Sequence, residues 1–193
     1  MSVAIVWFRG LLRLHDNPVL SWACSRNEID SIIPIYIIEE RGESEGDTTQ
    51  GNNRIRFLYE SIADLDNALR KNYDSSILVF SGDPRDVISS IAESLNFEVN
   101  LILTDYCSEP KKRAEILDLQ NSMKSKGLET IVFPSCNTIL DIEEVTTSET
   151  YKNPKSSKDI DAIMREYMDK SPDGYLVKEP LPAPPEIRSN QKT

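Results

Sequence analysis

The sequence lacks the short motifs that mark the common nucleotide-binding folds. The loop after its first apolar run contains one glycine, Gly10, so it has no G-x-G-x-x-G pattern, and no G-x-x-x-x-G-K-[ST] pattern occurs in the chain. The first motif forms the tight turn beside a pyrophosphate, and the second forms the lysine loop around a triphosphate. NAD-dependent and P-loop chemistry are therefore excluded. A nucleotide-binding module of another kind stays open, and micromolar binding of ATP would support it.

Histidine and cysteine are scarce. The three cysteines, Cys24, Cys107 and Cys136, are odd in number, far apart and outside any C-x-x-C spacing, which argues against structural zinc and a disulfide framework. His15 is the only histidine, so we expect no metal site around it. No apolar run approaches a membrane span, and Arg9 interrupts the first run too early for a signal peptide. We expect a nuclear or cytoplasmic protein that does not bind membranes.

Positive charge is also in short supply. The formal net charge is −10, and residues 1–149 hold 14 lysines and arginines against 25 acidic residues. Contacts with phosphates need a basic surface. We therefore expect no autonomous binding of nucleic acid.

The sequence does contain five short apolar runs, which alternate with segments of helical period. The runs cover residues 3–8, 32–38, 76–80, 101–104 and 130–133, and their nearly continuous apolar character is typical of strands buried on both faces of a parallel sheet. We predict an α/β fold, a doubly wound, Rossmann-like, five-stranded parallel sheet in the order 3-2-1-4-5.

The helical segments carry apolar stripes and start signals. Residues 53–71 and 84–96 have apolar residues at alternating steps of three and four, whereas the stripe of residues 110–127 is weaker and is assigned to Ala114, Leu117 and Met123. Three helices are predicted to begin at a proline, in Asn-Pro, Asp-Pro and Glu-Pro pairs. Gly127 suits the position just after a helix end.

The pattern changes after residue 146. We predict an α/β domain over residues 1–146, followed by a helix near residues 157–168 and a linker-like tail, together residues 147–193. The tail contains "KEPLPAPPEI", whose proline density is typical of an extended segment.

Two loops are predicted to flank one crevice at the carboxyl ends of the strands. In the proposed strand order the topological switch lies between strands 1 and 4, so residues 9–17 and 105–109 meet there, where open α/β sheets bind ligands. Asn17 and Pro18 are interpreted as the start of a helix. Arg9 and Arg13 either meet an anion or ring at this edge, or form ion pairs with Asp16 or Glu109.

Arg54 and Arg56 form a second unusual feature. They are predicted to lie at the start of the second helix, where positive charge opposes the helix dipole. An anionic ligand or an acidic neighbour, such as the acidic loop at residues 39–47, would account for this placement.

Together these segments resemble a known family. "VWFRGLLRLHDNPVL", then "GNNRIRFLYESIADLDNALRK", "VFSGDP", "SEP" and "TYK", resemble the N-terminal α/β domain of the DNA photolyase/cryptochrome family, in its animal cryptochrome and six-four photolyase branch. The resemblance covers about residues 3–168, and "PLPAPPE" is similar to the connector that follows. The sequence departs from the family pattern at Gly10, Leu11 and Cys107.

The resemblance implies an accessory role in light-dependent DNA repair or blue-light signalling. Family members continue into a helical domain that binds the catalytic FAD, and we find no counterpart here, so we expect no catalytic residues, no FAD binding and no repair by this chain alone. The α/β domain of relatives can hold an antenna chromophore, which is a deazaflavin, a folate or a second flavin. The matching positions here are Arg9, Glu39, Arg54 and Glu109. Arg13 is a further candidate, because it lies in a loop that is predicted to flank the crevice.

The resemblance also implies a partner, which is a helical FAD-binding domain or another protein. The alternative function is a protein-interaction module, a truncated cryptochrome-like regulator without a chromophore. Whether the chain has any enzymatic activity of its own stays open.

Overall fold

A computed structural model of the protein describes residues 2–38, 52–94, 98–107, 109–133, 151–170 and 182–188. Its strands are β1 (Ser2–Phe8), β2 (Ser31–Ile38), β3 (Leu78–Ser81), β4 (Glu98–Asp105) and β5 (Glu129–Phe133). They pair in parallel in the order β3-β2-β1-β4-β5, which confirms the predicted topology. The central strand β1 is buried from Val3 to Phe8, as its unbroken apolar run requires.

In the part of the chain that the structure describes, five helices accompany the strands: α1 (Pro18–Ser25), α2 (Asn52–Tyr73), α3 (Pro84–Ser94), α4 (Pro110–Ser125) and α5 (Ser157–Lys170). Helices α1, α3 and α4 begin at the predicted prolines, because proline needs no hydrogen-bond partner for a backbone N–H in the first turn. Among the described residues, no helix is both long and apolar enough to cross a membrane.

Helices α1 and α2 share a core with one face of the sheet. The even-numbered residues of β1 point to this face, and Ala4, Val6 and Phe8 belong to the same buried cluster as Leu20 of α1 and Leu69 of α2. The apolar stripe predicted for α2 is confirmed, since Ile62, Leu65 and Leu69 are its buried residues.

Helices α3 and α4 share a core with the opposite face. Val3, Ile5 and Trp7 of β1 belong to a second buried cluster, which includes Ile88 of α3 and Leu119 of α4. The two helix pairs lie on opposite faces, so the helix that follows β1 and the helix that follows β4 cover different faces of the sheet. The predicted topological switch is therefore present at this point.

The buried stripe of α4 differs from the prediction. Ala114 and Leu117 are exposed, and Leu117 keeps 55% of its surface. The buried residues are Ile116, Leu119 and Met123, which share one side of the helix at steps of three and four. Of the three predicted residues only Met123 is buried, because apolar residues occur on two sides of α4 and periodicity alone does not choose between them. The predicted helix end is confirmed, since Gly127 has a φ of 79° after the last turn.

Residues 182–188 of the tail dock on the α1 and α2 side of the sheet. They form neither helix nor strand, yet Ile187 is buried in the core cluster of that face. The N–H of Ile32 in β2 donates to the carbonyl of Arg188 at 2.7 Å, and the hydroxyl of Tyr73 donates to the carbonyl of Pro184 at 2.7 Å. This part of the tail thus has no helix or strand, and it is packed against the domain.

Candidate functional site

The loop after β1 is organised by its own side chains. The Oδ1 of Asn17 accepts a hydrogen bond from the N–H of Leu20 at 3.0 Å, and its Nδ2 donates to the carbonyl of Arg13 at 2.9 Å. Asn17 therefore caps α1, as its position before Pro18 predicts.

Arg13 belongs to the same loop. Its guanidinium donates to the carbonyl of Asp16 and lies 2.9 Å from the carboxylate of that residue. Asp16 has a φ of 48°, a left-handed conformation that costs energy for a residue with a side chain. Of the two alternatives for Arg13, a ligand at the sheet edge or an ion pair, the structure has the ion pair with Asp16. The Arg13 guanidinium stabilises this turn.

Asp105, at the end of β4, joins the two loops of the switch point. Its carboxylate accepts hydrogen bonds from the N–H of Gly10 at 3.0 Å and from the N–H of Arg9 at 3.3 Å. Asp105 is 3% exposed, and this burial raises the pKa of its carboxyl, while the N–H of Gly10 and the charge of Arg9 oppose the rise. The carboxylate thus fastens the first loop to β4.

Arg9 follows Trp7 on the same face of β1. Its guanidinium carbon lies 4.7 Å from the centroid of the Trp7 ring, within the range of a cation–π contact. The sequence offered Asp16 or Glu109 as an ion-pair partner of Arg9. The neighbours that we describe for Arg9 are Trp7 and Asp105. The sequence placed Asp105 in a loop at this crevice, and its contact with Gly10 joins the two predicted loops, but Asp105 was not among the predicted site residues.

The other predicted site residues that the structure describes are not part of this contact. Glu109 is an exposed residue at the start of α4, where its side chain makes no capping hydrogen bond, and Arg54 is exposed in the first turn of α2. Arg56 pairs with Glu60 one turn further along α2, at 2.7 Å, so its acidic neighbour is within its own helix. Glu39 lies outside the described residues, and its placement stays a prediction.

A cavity of about 410 Å³ opens beside Trp7 on the face covered by α3 and α4. This volume lies within the range of small-molecule sites. The lining residues come from β1, from the turn between β3 and α3, and from α4: Trp7, Gly82, Asp83, Pro84, Arg85, Glu115, Asp118 and Leu119.

The turn between β3 and α3 shapes one wall of this cavity. Gly82 has a φ of 134°, which other residues rarely adopt, and it allows Asp83 to precede Pro84 at the start of the helix. The carboxylate of Asp83 accepts from the N–H of Arg85 at 2.8 Å and from its guanidinium at 2.7 and 3.0 Å. The side chain of Arg85 therefore lowers the pKa of Asp83. The sequence analysis used "SGDP" only for the family resemblance and did not predict Asp83 or Arg85 as site residues.

Metal chemistry finds no support in the described part of the chain. No group of three or more histidine, cysteine or acidic side chains there could hold a metal ion. His15 is exposed in the loop after β1.

Known proteins resemble this chain in sequence or in fold. The chain is 31% identical to a (6-4) DNA photolyase of Arabidopsis thaliana over 80% of its length, and 31% identical to cryptochrome-2 of Gallus gallus over 92%. The structure matches a cryptochrome of Synechocystis sp. PCC6803 with a TM-score of 0.76 and 22% identity, over 98% of this chain and 37% of that one. It also matches an archaeal photolyase of Sulfolobus tokodaii with a TM-score of 0.66 and 22% identity, over 97% of this chain and 37% of that one. That photolyase is described with two FAD molecules, which imply a novel light-harvesting cofactor.

The chain spans only part of these relatives, namely 28% of the Arabidopsis photolyase and 29% of the chicken cryptochrome. The DNA photolyase family profile nevertheless matches residues 4–185, which is nearly the whole sequence. The switch-point loops, the parallel sheet and these matches agree, and the chain belongs to the DNA photolyase family, with (6-4) photolyases and animal cryptochromes among its relatives.

Proposed function

We propose that this chain is the α/β half of a light-responsive flavoprotein, and that it holds an antenna chromophore for a helical FAD-binding half. The observation that supports the antenna role is the cavity beside Trp7, at the edge of the sheet where α/β proteins bind ligands. When bound, such a chromophore absorbs light and passes the excitation to FAD. By this proposal the chain alone neither repairs DNA nor binds nucleic acid. It acts in the nucleus or the cytoplasm.

The residues around the cavity fit the ring of a chromophore. The Trp7 indole lines the cavity with the 3% of its surface that is exposed, and the guanidinium of Arg9, which is outside the lining, lies over that ring at 4.7 Å and fixes its position. Leu119 of α4 adds an apolar surface. These groups would hold and orient a planar ring and exclude water from one side of it.

Binding of candidate chromophores tests this proposal directly. The purified chain is titrated with a methenyl-tetrahydrofolate, a deazaflavin and riboflavin, and quenching of ligand fluorescence is measured. We expect at least one to bind with a dissociation constant in the micromolar range, and Arg9→Gln to weaken it by about fivefold, because a cation–π contact contributes about 1 kcal/mol.

Arg26→Gln is the matched control. Arg26 lies over Trp22 at 4.6 Å on the other face of the sheet, so it repeats the arginine–tryptophan contact away from the cavity. We expect its loss to leave chromophore binding unchanged. If all three chromophores fail to bind, the antenna role is wrong. Light-driven repair of a six-four or cyclobutane lesion by this chain alone would refute the proposal that repair needs the helical FAD-binding half.

A protein-interaction module without a chromophore is the second candidate. The observation that favours it is the exposure of large apolar side chains: Phe57 at 70%, Tyr59 at 52% and Val79 at 47%. Co-expression with a separate FAD-binding helical half of a relative tests it, and a stable complex that survives gel filtration is expected. Phe57→Ser should weaken that complex, whereas the substitution of the buried cavity residue Leu119 by Met should not.

A further inference from the structure

Residues 182–188, which we call the docked segment, are bound by the domain in the manner of a short peptide. They lie on the α1 and α2 side of the sheet and form neither helix nor strand. Pro184 and Ile187 are buried, whereas the other five residues of the segment are exposed. Two apolar side chains, three positions apart, therefore carry the apolar contact with the domain.

The domain also binds the backbone of the docked segment. The hydroxyl of Tyr73, at the end of α2, donates to the carbonyl of Pro184 at 2.7 Å. The N–H of Ile32 in β2 donates to the carbonyl of Arg188 at 2.7 Å. Every peptide has such carbonyls, so these bonds fix the position of the segment, and the two buried side chains supply the selectivity. We call the surface formed by Tyr73, Ile32 and the core cluster around Ile187 the tail groove.

The contacts in the tail groove are confined to the docked segment. Residues 151–166, which are the part between β5 and the segment whose burial is described, include no buried residue. A free peptide with the same sequence can make the same contacts, because they are made by the segment's own atoms. Three of its residues are prolines, which restrict the free peptide and lower the conformational entropy that binding costs.

We propose that the tail groove is a peptide-binding site and that the docked segment is its intramolecular competitor. The ligand is a segment of another protein, without helix or strand, that carries a proline and, three residues later, a branched apolar side chain. Exchange of tails between two copies of this chain gains no contact, because each copy already fills its own groove. The inference is independent of the chromophore site, which lies on the opposite face of the sheet.

The tether sets how strongly the docked segment competes. A tethered segment acts at an effective concentration of about 1 mM, so a ligand from another protein must exceed this competition or meet a groove that has been opened. Opening the groove by a substitution in the docked segment should therefore increase the affinity for a free peptide.

A fluorescently labelled peptide with the sequence of residues 180–190 is the probe, and its anisotropy is measured as the chain is added. The Ile187→Ala chain should bind this peptide about tenfold more tightly than the wild-type chain, because the peptide keeps the isoleucine that the tethered segment has lost. Pro184→Ala is a second opened variant, which decides if Ile187→Ala does not fold. Equal binding by the wild-type and opened chains, or binding by neither, overturns the inference.

Two altered peptides are the matched controls. The peptide with Ile187→Ser should bind the opened chain about tenfold more weakly, because it lacks the buried side chain. The peptide with Glu186→Gln should bind unchanged, because Glu186 is exposed. Tyr73→Phe, added to the opened chain, should weaken binding about fivefold through the lost hydrogen bond. Equal affinities of the Ile187→Ser and unaltered peptides would place the binding outside the tail groove and refute the proposal. A wild-type dimer that the free peptide dissociates would overturn the assignment to another protein.

Discussion

The two helical layers cover the sheet to different degrees. On the α1 and α2 side, residues 182–188 add a third element, and Ile187 completes a core that contains Leu20 and Leu69. On the α3 and α4 side, the core ends at Trp7, beyond which the cavity opens. The first layer, which we call the sealed layer, is built for stability, and the second, the open layer, leaves room for a ligand. Four predictions test this distinction.

The largest effect is expected from core truncation in the sealed layer. Leu69 of α2 is fully buried, and Leu69→Ala should lower the free energy of unfolding by about 3 to 5 kcal/mol, because the removed side chain leaves a void that the layer cannot close. Leu119→Ala, which removes the same atoms from the edge of the existing cavity, should cost about 1 kcal/mol less. Urea unfolding of both variants measures the difference. Equal losses would contradict the division into a sealed and an open layer.

The next largest effect is expected where the tail closes the sealed layer. Ile187→Ala should cost about 2 kcal/mol, since it removes a buried side chain from a segment that can detach locally. Burial in the same cluster raises the pKa of the Cys24 thiol to about 11, which keeps it protonated and slow to react at neutral pH.

Thiol labelling of Cys24 reports on this closure. In a background that carries Cys107→Ser and Cys136→Ser, Ile187→Ala should speed the labelling of Cys24 at pH 8. Ile160→Ala in α5, where the side chain is 50% exposed, serves as the control and should leave the rate unchanged. A rate in Ile187→Ala that matches the wild type would show that the tail does not protect this side of the domain.

A smaller effect is expected from the hydrogen bond that holds the tail to α2. Tyr73→Phe removes the 2.7 Å bond from its hydroxyl to the carbonyl of Pro184, and should cost about 1 kcal/mol. Tyr59→Phe, on the exposed surface of the same helix, should stay within about 0.5 kcal/mol of the wild type. If both variants melt like the wild type, the tail is held by apolar burial alone.

The smallest effect concerns the charge on the open layer. Arg85 lowers the pKa of Asp83 below its ordinary value of 3.8, so the carboxylate is favoured in the folded state. Asp83 therefore contributes stability above the ordinary pKa, and this contribution is lost as the pH falls through the lower pKa of the folded protein. The stability difference between wild type and Asp83→Asn should be present at pH 7 and shrink in acid. A difference that grows in acid would mean that the pair does not stabilise the ionised form.

The sequence predicted the fold well because its signals were local and consistent. Apolar runs defined the strands, prolines marked the starts of α1, α3 and α4, and the alternation of the two element types fixed a parallel sheet. The side of α4 that is buried was predicted wrongly, since apolar residues on two sides of a helix leave the choice to tertiary packing.

The candidate site was predicted less completely. Asn17 and Arg13 act within their own loop, and short-range capping rules can find such contacts. Asp105 meets Gly10 across 95 positions in the chain, and no spacing rule connects residues that distant. The sequence indicated the edge of the sheet that holds the site, and the long-range contacts decide which side chains meet there.

The bond between Ile32 and Arg188 has a consequence for solubility. Strand β3 pairs with β2 only from Ile35 to Ile38, which leaves the first part of the outer edge of β2 beyond its reach. There the tail takes the N–H of Ile32, and Pro34, two residues further along the same edge, has no N–H to offer. This stretch of the β2 edge consequently presents no free donor to a strand of another molecule, and the tail removes it as a site of edge-to-edge pairing.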